Sequence, residues 1–254
     1  WLPDAGVAPT TVTALLHAAV LVKIGVYAYA RLFLYTFKIP AAWQQAVIIL
    51  AVVSSLIAAG GAAVENDIKR ILAYSTISQI GYIFLGLSVA NPTAVSGSLL
   101  YILMHGLAKA GLFLCAGIVI HSSNKRDIRE MGGLIKTMPI TAISFLICAF
   151  SVIGLPPLGG FFSKLLVIMG TIQANQIWIA ALALFTAILT MYYLMRVFSL
   201  VFLGELKVAA PEKTPSMVGV VTVLALFSVL AGFFVSYPMK LVQLATTHIT
   251  WWLR

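Results

Sequence analysis

The sequence has little charge, and still less of it is acidic. Of 254 residues only 9% are charged, seven acidic against sixteen Lys and Arg, while 61% are hydrophobic and the mean hydropathy is +1.05. Soluble domains carry roughly 45–50% apolar residues, so no water-soluble fold hides this much apolar surface. Metal-ligand spacing is missing: the two cysteines, Cys115 and Cys148, lie inside apolar runs where a thiol behaves as a small hydrophobe. The sequence also lacks a Gly-rich phosphate loop, a nucleophile elbow and any zinc spacing, which excludes machinery for covalent or metal catalysis and predicts no cofactor on this chain. Trp1-Leu2-Pro3-Asp4 is no basic region before a short apolar core, so no signal peptide is expected, and the start reads as the continuation of something longer.

The apolar residues that are present fall into stretches of about 20, the number that crosses a hydrocarbon core at about 1.5 Å rise per helical residue. Runs bounded by Gly, Pro and charge lie near 10–33, 42–62, 68–89, 95–120, 138–172, 176–203 and 215–236. They predict an all-α integral membrane bundle of about seven transmembrane helices over residues 1–237. The run over 138–172 is too long for one straight crossing. The segment Gly154-Leu155-Pro156-Pro157-Leu158-Gly159-Gly160 cuts it into two half-helices, because proline removes a backbone donor and clashes with the preceding turn. Backbone left unpaired by such a break is tolerated in a membrane only against protein or a water-filled cavity, which hints at a hydrated path. Residues 238–254 read as a short amphipathic interfacial tail whose Trp251 and Trp252 suit the headgroup belt.

The formal charge of +9 raises the question of nucleic acid, but most of the cations sit in short connections, where bilayer proteins keep their orienting charges, so no nucleic-acid partner is expected. One side receives Lys69, Arg70, Lys125, Arg126, Arg129, Lys136, Lys207 and Lys213, the other Arg31, Lys38, Lys240 and Arg254. This excess predicts that the first side is cytoplasmic, with the amino end starting there and the carboxyl end outside.

All seven acids, Asp4, Glu65, Asp67, Asp127, Glu130, Glu205 and Glu212, fall in connections, whereas Lys23, Lys109 and Lys164 fall inside spans. An intramembrane lysine costs at least about 2.5 kcal/mol at a helix centre, so it faces a bundle interior or water and by default marks an ion path. Lys23 lies too deep to snorkel easily. Lys109 is central too, and His105 and Tyr101 precede it at four-residue steps, so the three share one helix face as a candidate proton relay. Lys164 follows the helix break, where it meets any water that enters there. His17 stands six residues before Lys23 on a different face, within reach of it through one water. His121 and His248 read as interfacial, and the polar run Ser75-Thr76-Ile77-Ser78-Gln79 as interhelical hydrogen bonding.

Several of these segments resemble the antiporter-like subunits of respiratory complex I, membrane-bound hydrogenases and Mrp-type antiporters. Trp1-Leu2-Pro3-Asp4-Ala5 with Ala8-Pro9-Thr10 and Ala14 to His17 is similar to the segment opening that family's eighth helix. The stretch Glu65 to Tyr82 matches its D-x-K-R-x-L-A-Y-S-T-x-S-Q-x-G-Y block almost throughout. His105 to Leu114 resembles its H-x-x-x-K-A-x-L-F-L, and Gly154 to Lys164 its broken twelfth helix. The resemblance implies the second of two inverted repeats in a fourteen-helix fold. It places His17 and Lys23 between half-channels, His105 and Lys109 on a central polar axis, and Lys164 at the exit. Its even helix count agrees with the charge count on topology. Thr11 replaces a usual proline, and Tyr101 stands where some members carry another histidine.

The expected function is a proton-translocating membrane subunit of a redox-driven complex, in a prokaryotic inner membrane, with redox cofactors in partner subunits. Because no acid lies within the spans, a neighbour is expected to supply a carboxylate or the missing first repeat. The alternatives are a Na+/H+ antiporter subunit and a structural subunit that does not conduct.

Overall fold

The computed structural model describes residues 2–4, 6, 8–18, 20–208, 210–247 and 249, with His17 through its backbone alone. The described elements are helical: α1 (Thr10–Ala18), α2 (Leu21–Ala30), α3 (Ala41–Val64), α4 (Ile68–Val89), α5 (Pro92–Ser123), α6 (Pro139–Ile153), α7 (Gly159–Gln173), α8 (Ile177–Phe202), α9 (Pro215–Phe233) and α10 (Ser236–Thr247). Six stretches are long and apolar enough to cross a membrane, Thr10–Thr36 counting as one, and the shorter apolar helices are α6 and α7.

Local chemistry sets the helix ends. Asp67 caps α4 by accepting from the Lys69 and Arg70 amides at 2.8 and 3.2 Å, and Asn91 caps α5 ahead of Pro92, whose missing N–H costs nothing in the first turn. Glu212, from the connection between α8 and α9, caps α6 through space by accepting the Thr141 amide at 2.8 Å.

Two spans depart from single straight helices. The first leaves the helix at Val20, resumes at Leu21 and widens into a π-helical turn over Arg31–Thr36; Lys23 reaches back to donate to the Ala18 carbonyl, an acceptor that the interruption leaves open. The fifth is the broken one. Its bridge runs from Gly154 to Leu158, shorter than expected, because Gly159 and Gly160 already form the first turn of α7. The last described helix, α10, is tied to the first span by the Tyr35 hydroxyl donating to the Ala245 carbonyl at 2.9 Å. His248, Trp251 and Trp252 lie outside the described residues.

The packing is inverted relative to a soluble protein. The least apolar span, α4, with a mean hydropathy of 1.3 against 2.5 for α3, is the most buried. It and α5 form the centre; α3, α8 and α9 turn large apolar side chains such as Leu50, Ile57, Phe185 and Phe227 outward. Lipid tails accept those groups but cannot satisfy the hydroxyls and amides of α4, so protein must cover it. Small residues allow the close approach: a Cβ at Gly81 would stand 2.8 Å from the Ala51 carbonyl of α3, and one at Gly97 2.7 Å from the Val167 amide of α7.

The connections with most of the charge gather at one end. Ile68 donates to Arg126 and Ile128 to Asn66 across the start of α4 and the turn after α5, Arg129 grips Asp127 through both nitrogens of its fork, and Lys207 donates to the Arg129 carbonyl. The Arg129 guanidinium and the Arg129 amide hold the Asp127 carboxyl down at about 2.

Candidate functional site

The cations predicted inside the bundle lie on three elements, α2, α5 and α7, around α4. Lys109, at mid-length on α5, is wholly buried; its ammonium donates to the Leu72 carbonyl of α4 at 3.1 Å and stands 6.0 Å from the Phe113 ring. Leu72 also accepts from Thr76, at 2.9 Å. One turn before Lys109, His105 is buried, with its ring edge-on to Tyr101 at 5.8 Å. Tyr101, His105 and Lys109 therefore line one side of α5.

Lys23 is half-buried on α2 and faces the same helix: a Cβ on Gly106, the residue after His105, would lie 2.8 Å from its Nζ. The close approach of an ammonium to α5 there depends on glycine. Leu21 and Gly25, beside it, line an apolar groove of about 600 Å³ between α2, α3 and α4. The side chain of His17 is outside the described residues, and its backbone lies in α1.

Lys164 lies in the second turn of α7, 4% exposed, and reaches back to the break. Pro156 and Pro157 explain what it finds there. In a continuous helix the carbonyls of Val152 and Ile153 would accept the amides four residues on, which are those two prolines, and neither has an N–H. Side chains meet both acceptors: the Lys164 ammonium donates to Ile153 at 3.3 Å, and the Tyr101 hydroxyl lies 3.3 Å from the Val152 carbonyl, sharing with it the single proton that it gives to Gln79 at 2.6 Å. Gly154, in the left-handed region at φ 91°, ends α6 and makes room for the lysine stem, whose Cδ would lie 3.1 Å from a Cβ there. On the other side the bridge is backed by protein, because Gly232 of α9 packs directly onto Pro157 and Leu158.

A hydrogen-bonded chain continues from this point into α8. Tyr101 donates to Gln79 Oε1 at 2.6 Å, and Gln79 Nε2 donates to Thr190 Oγ1 at 3.1 Å. One turn away along α4, the Tyr193 hydroxyl donates to Ser75 Oγ at 2.8 Å, and on the α3 side Ser55 donates to the Ser78 carbonyl at 2.7 Å. These bonds make the polar run at the start of α4 an interhelical contact on two sides.

Two residues, Gln79 and Tyr82, gain a place at the site that the sequence pattern did not assign to them. Gln79 and Tyr82 sit with Ser75 at helical spacing on one face of α4, a periodicity that could have marked them. Arg196, the one cation of the 176–203 run, lies away from the site near the end of α8 and donates to the Glu65 carbonyl and to Asn66 Oδ1 at 2.7 and 2.6 Å, which joins it to the charged connections. All seven acids lie outside the spanning helices. Lys109 and Lys164, by contrast, are close enough to feel each other's charge.

The chain is 39% identical over 208 residues to a Na+/H+ antiporter subunit from Alkalihalophilus pseudofirmus, covering 82% of this chain and 42% of that relative. It is 37% identical over 247 residues to a subunit of the NADH-quinone oxidoreductase of Rickettsia typhi, covering 95% of this chain and 37% of that one. It therefore spans about two fifths of the length of these relatives. The Mrp complex of a Dietzia species contains a chain that superposes with a TM-score of 0.93 at 25% identity, over 98% of this chain and 55% of the other. The family model described as NADH:quinone oxidoreductase/Mrp antiporter, TM, matches residues 1–190. With those matches, and with apolar helices long enough to cross a bilayer, the chain is an integral membrane protein belonging to the NADH:quinone oxidoreductase/Mrp antiporter transmembrane family.

Proposed function

We propose that this chain moves protons through the membrane arm of a redox-driven complex, along a path that includes Lys23, His105, Lys109 and Lys164, with His17 and Tyr101 as further members. The observation that carries this reading is Lys109: wholly buried at mid-length in the central helix, bonded to a carbonyl, with no carboxylate in any spanning helix of the described chain. A buried ammonium with neutral partners gives up its proton more readily than one held by an acid, and a carboxylate brought near or withdrawn by a neighbouring subunit switches it between two states. In this reading the redox cofactors belong to partner subunits, and the carboxylate comes from outside these helices. The chain would sit in a prokaryotic inner membrane with the Glu65 and Asp127 connections in the cytoplasm, as their excess of Lys and Arg favours.

A second reading, Na+/H+ antiport, is favoured by the likeness to the Alkalihalophilus antiporter and to the Mrp complex. A sodium site wants several oxygen ligands, preferably with a carboxylate, and the spanning helices among the described residues contain no carboxylate.

The test is substrate-driven acidification of inverted vesicles holding the whole complex, with wild type, Lys109→Ala and a sodium ionophore in parallel. Proton uptake in the variant is expected to fall at least about tenfold with assembly intact, a barrier increase of about 1.4 kcal/mol or more, and the ionophore to change nothing. Unchanged uptake in Lys109→Ala would leave a purely structural role, and uptake that collapses with the ionophore would favour the antiporter.

A further inference from the structure

Lys164 has no carboxylate partner among the described residues, yet its ammonium does not lie bare against aliphatic side chains. It stands 5.0 Å from the centre of the Tyr82 ring and 5.6 Å from that of Tyr101, both inside the roughly 6 Å over which an aromatic face attracts a cation. The rings meet at 71° with centroids 6.4 Å apart, so the ammonium lies where both faces open. Each ring is pinned at its hydroxyl: Tyr82 donates to the Ala183 carbonyl of α8 at 2.9 Å, and Tyr101 to Gln79 and Val152. Both tyrosines are completely or almost completely buried, Tyr82 at 1% and Tyr101 at 0% exposure, which leaves little water to screen the attraction. The Ile153 carbonyl, orphaned by Pro157, completes the site.

We propose that Tyr82 and Tyr101 form an aromatic seat for the Lys164 ammonium, and that the ring faces, in the place a carboxylate would otherwise take, set the pH at which this lysine releases its proton. The seat deepens the reading of Lys164 as a member of the proton path and rests on it. Tyr82 and Tyr101 act here as positioning residues. Of the ionisable groups on the elements packed against α7, Lys109 on α5 acts on Lys164 directly and Tyr193 on α8 acts on Tyr101; α5 also carries His105 and α6 carries Cys148, while α9, which backs the bridge, carries none. Lys109 repels the ammonium, and the rings and the Ile153 carbonyl oppose that repulsion.

The sign follows from the ring quadrupole. An aromatic face favours the protonated lysine, so a weaker face lowers the pH of half-protonation and moves the alkaline limb of the translocation profile to lower pH. The experiment replaces Tyr82 in the intact complex by phenylalanine and by phenylalanines carrying increasing numbers of fluorines. These keep the ring's size while progressively withdrawing the negative charge on its face. Tyr82→Leu removes the face altogether, and Lys164→Ala serves as the control for the parent reading. Tyr82→Phe is expected to retain the wild-type limb, the fluorinated series to move it stepwise, and Tyr82→Leu to move it by about half to one and a half pH units. A flat fluorine series would overturn the seat even if the leucine variant failed to assemble. An equal shift in Tyr82→Phe and Tyr82→Leu would also overturn it, by assigning the effect to the hydroxyl bonded to Ala183. If Lys164→Ala translocates normally, the lysine is off the path, and the parent reading falls with the seat.

Discussion

At the scale of single residues, the break in the fifth span shows how two prolines act through amides they do not have. Pro156 and Pro157 are themselves exposed, and their effect is felt on the other side of the helix, where Val152 and Ile153 present open carbonyls to Tyr101 and Lys164. Gly154 makes this possible twice over, by adopting φ 91° and by leaving space for the lysine stem. Gly154→Ala is therefore expected to destabilise the subunit by about 1–2 kcal/mol from the left-handed backbone alone. It should also impair translocation by crowding Lys164 away from Ile153. Thermal unfolding of the purified complex in detergent measures the first effect and vesicle acidification the second. A variant with wild-type stability would mean that the bridge relaxes out of the left-handed conformation. The prolines and the lysine were legible in the sequence. The partners of the two orphaned carbonyls were not, because Tyr101 and Lys164 arrive from different helices.

At the scale of elements, the capping residues fixed the ends of α4 and α5 close to where the hydropathy placed them, since Asp67 and Asn91-Pro92 satisfy free amides locally. The interruption at Val20 left no such mark: the residues from Ala14 to Ile24 contain neither proline nor glycine. There Lys23 bonds a carbonyl that an unbroken helix would have used itself, so a cation expected only on a path also serves the backbone. The charged connections are held from outside the bilayer. With the Asp127 carboxyl held at about 2 against an ordinary 3.8, its pairing with Arg129 contributes stability above pH 4, and that contribution disappears as the pH falls through about 2. The pair is partly exposed, so the gain is small. In pH-dependent unfolding, Asp127→Asn is expected to be slightly less stable than wild type near neutrality and to converge with it between about pH 4 and pH 2.

At the scale of the whole molecule, the charged connections of α3–α4, α5–α6 and α8–α9 come together at one end and bond one another across the chain. This clustering makes the sidedness testable as a unit. In a background with Cys115 and Cys148 replaced, a single cysteine at Lys125 is expected to react with an impermeant thiol reagent in inverted vesicles and not in right-side-out ones. A cysteine at Lys38 is expected to behave in the opposite way. The reverse pattern would invert the proposed orientation.

Composition and hydropathy alone determined that the chain is an all-helical membrane protein, where its long helices run, and that its acids lie outside them, because each of these follows from transferring a segment of chain between water and hydrocarbon. Helical spacing placed Tyr101, His105 and Lys109 on one face. Only the tertiary structure decided that Lys23 faces Gly106, that Lys164 sits between two tyrosine rings, and that Gln79 joins Tyr101 to Thr190. A lysine inside a bilayer must find partners, but the pattern along one helix cannot say which neighbour supplies them. The partner depends on how close two backbones come, and in this bundle that distance is set by glycines and by carbonyls freed from their own helix.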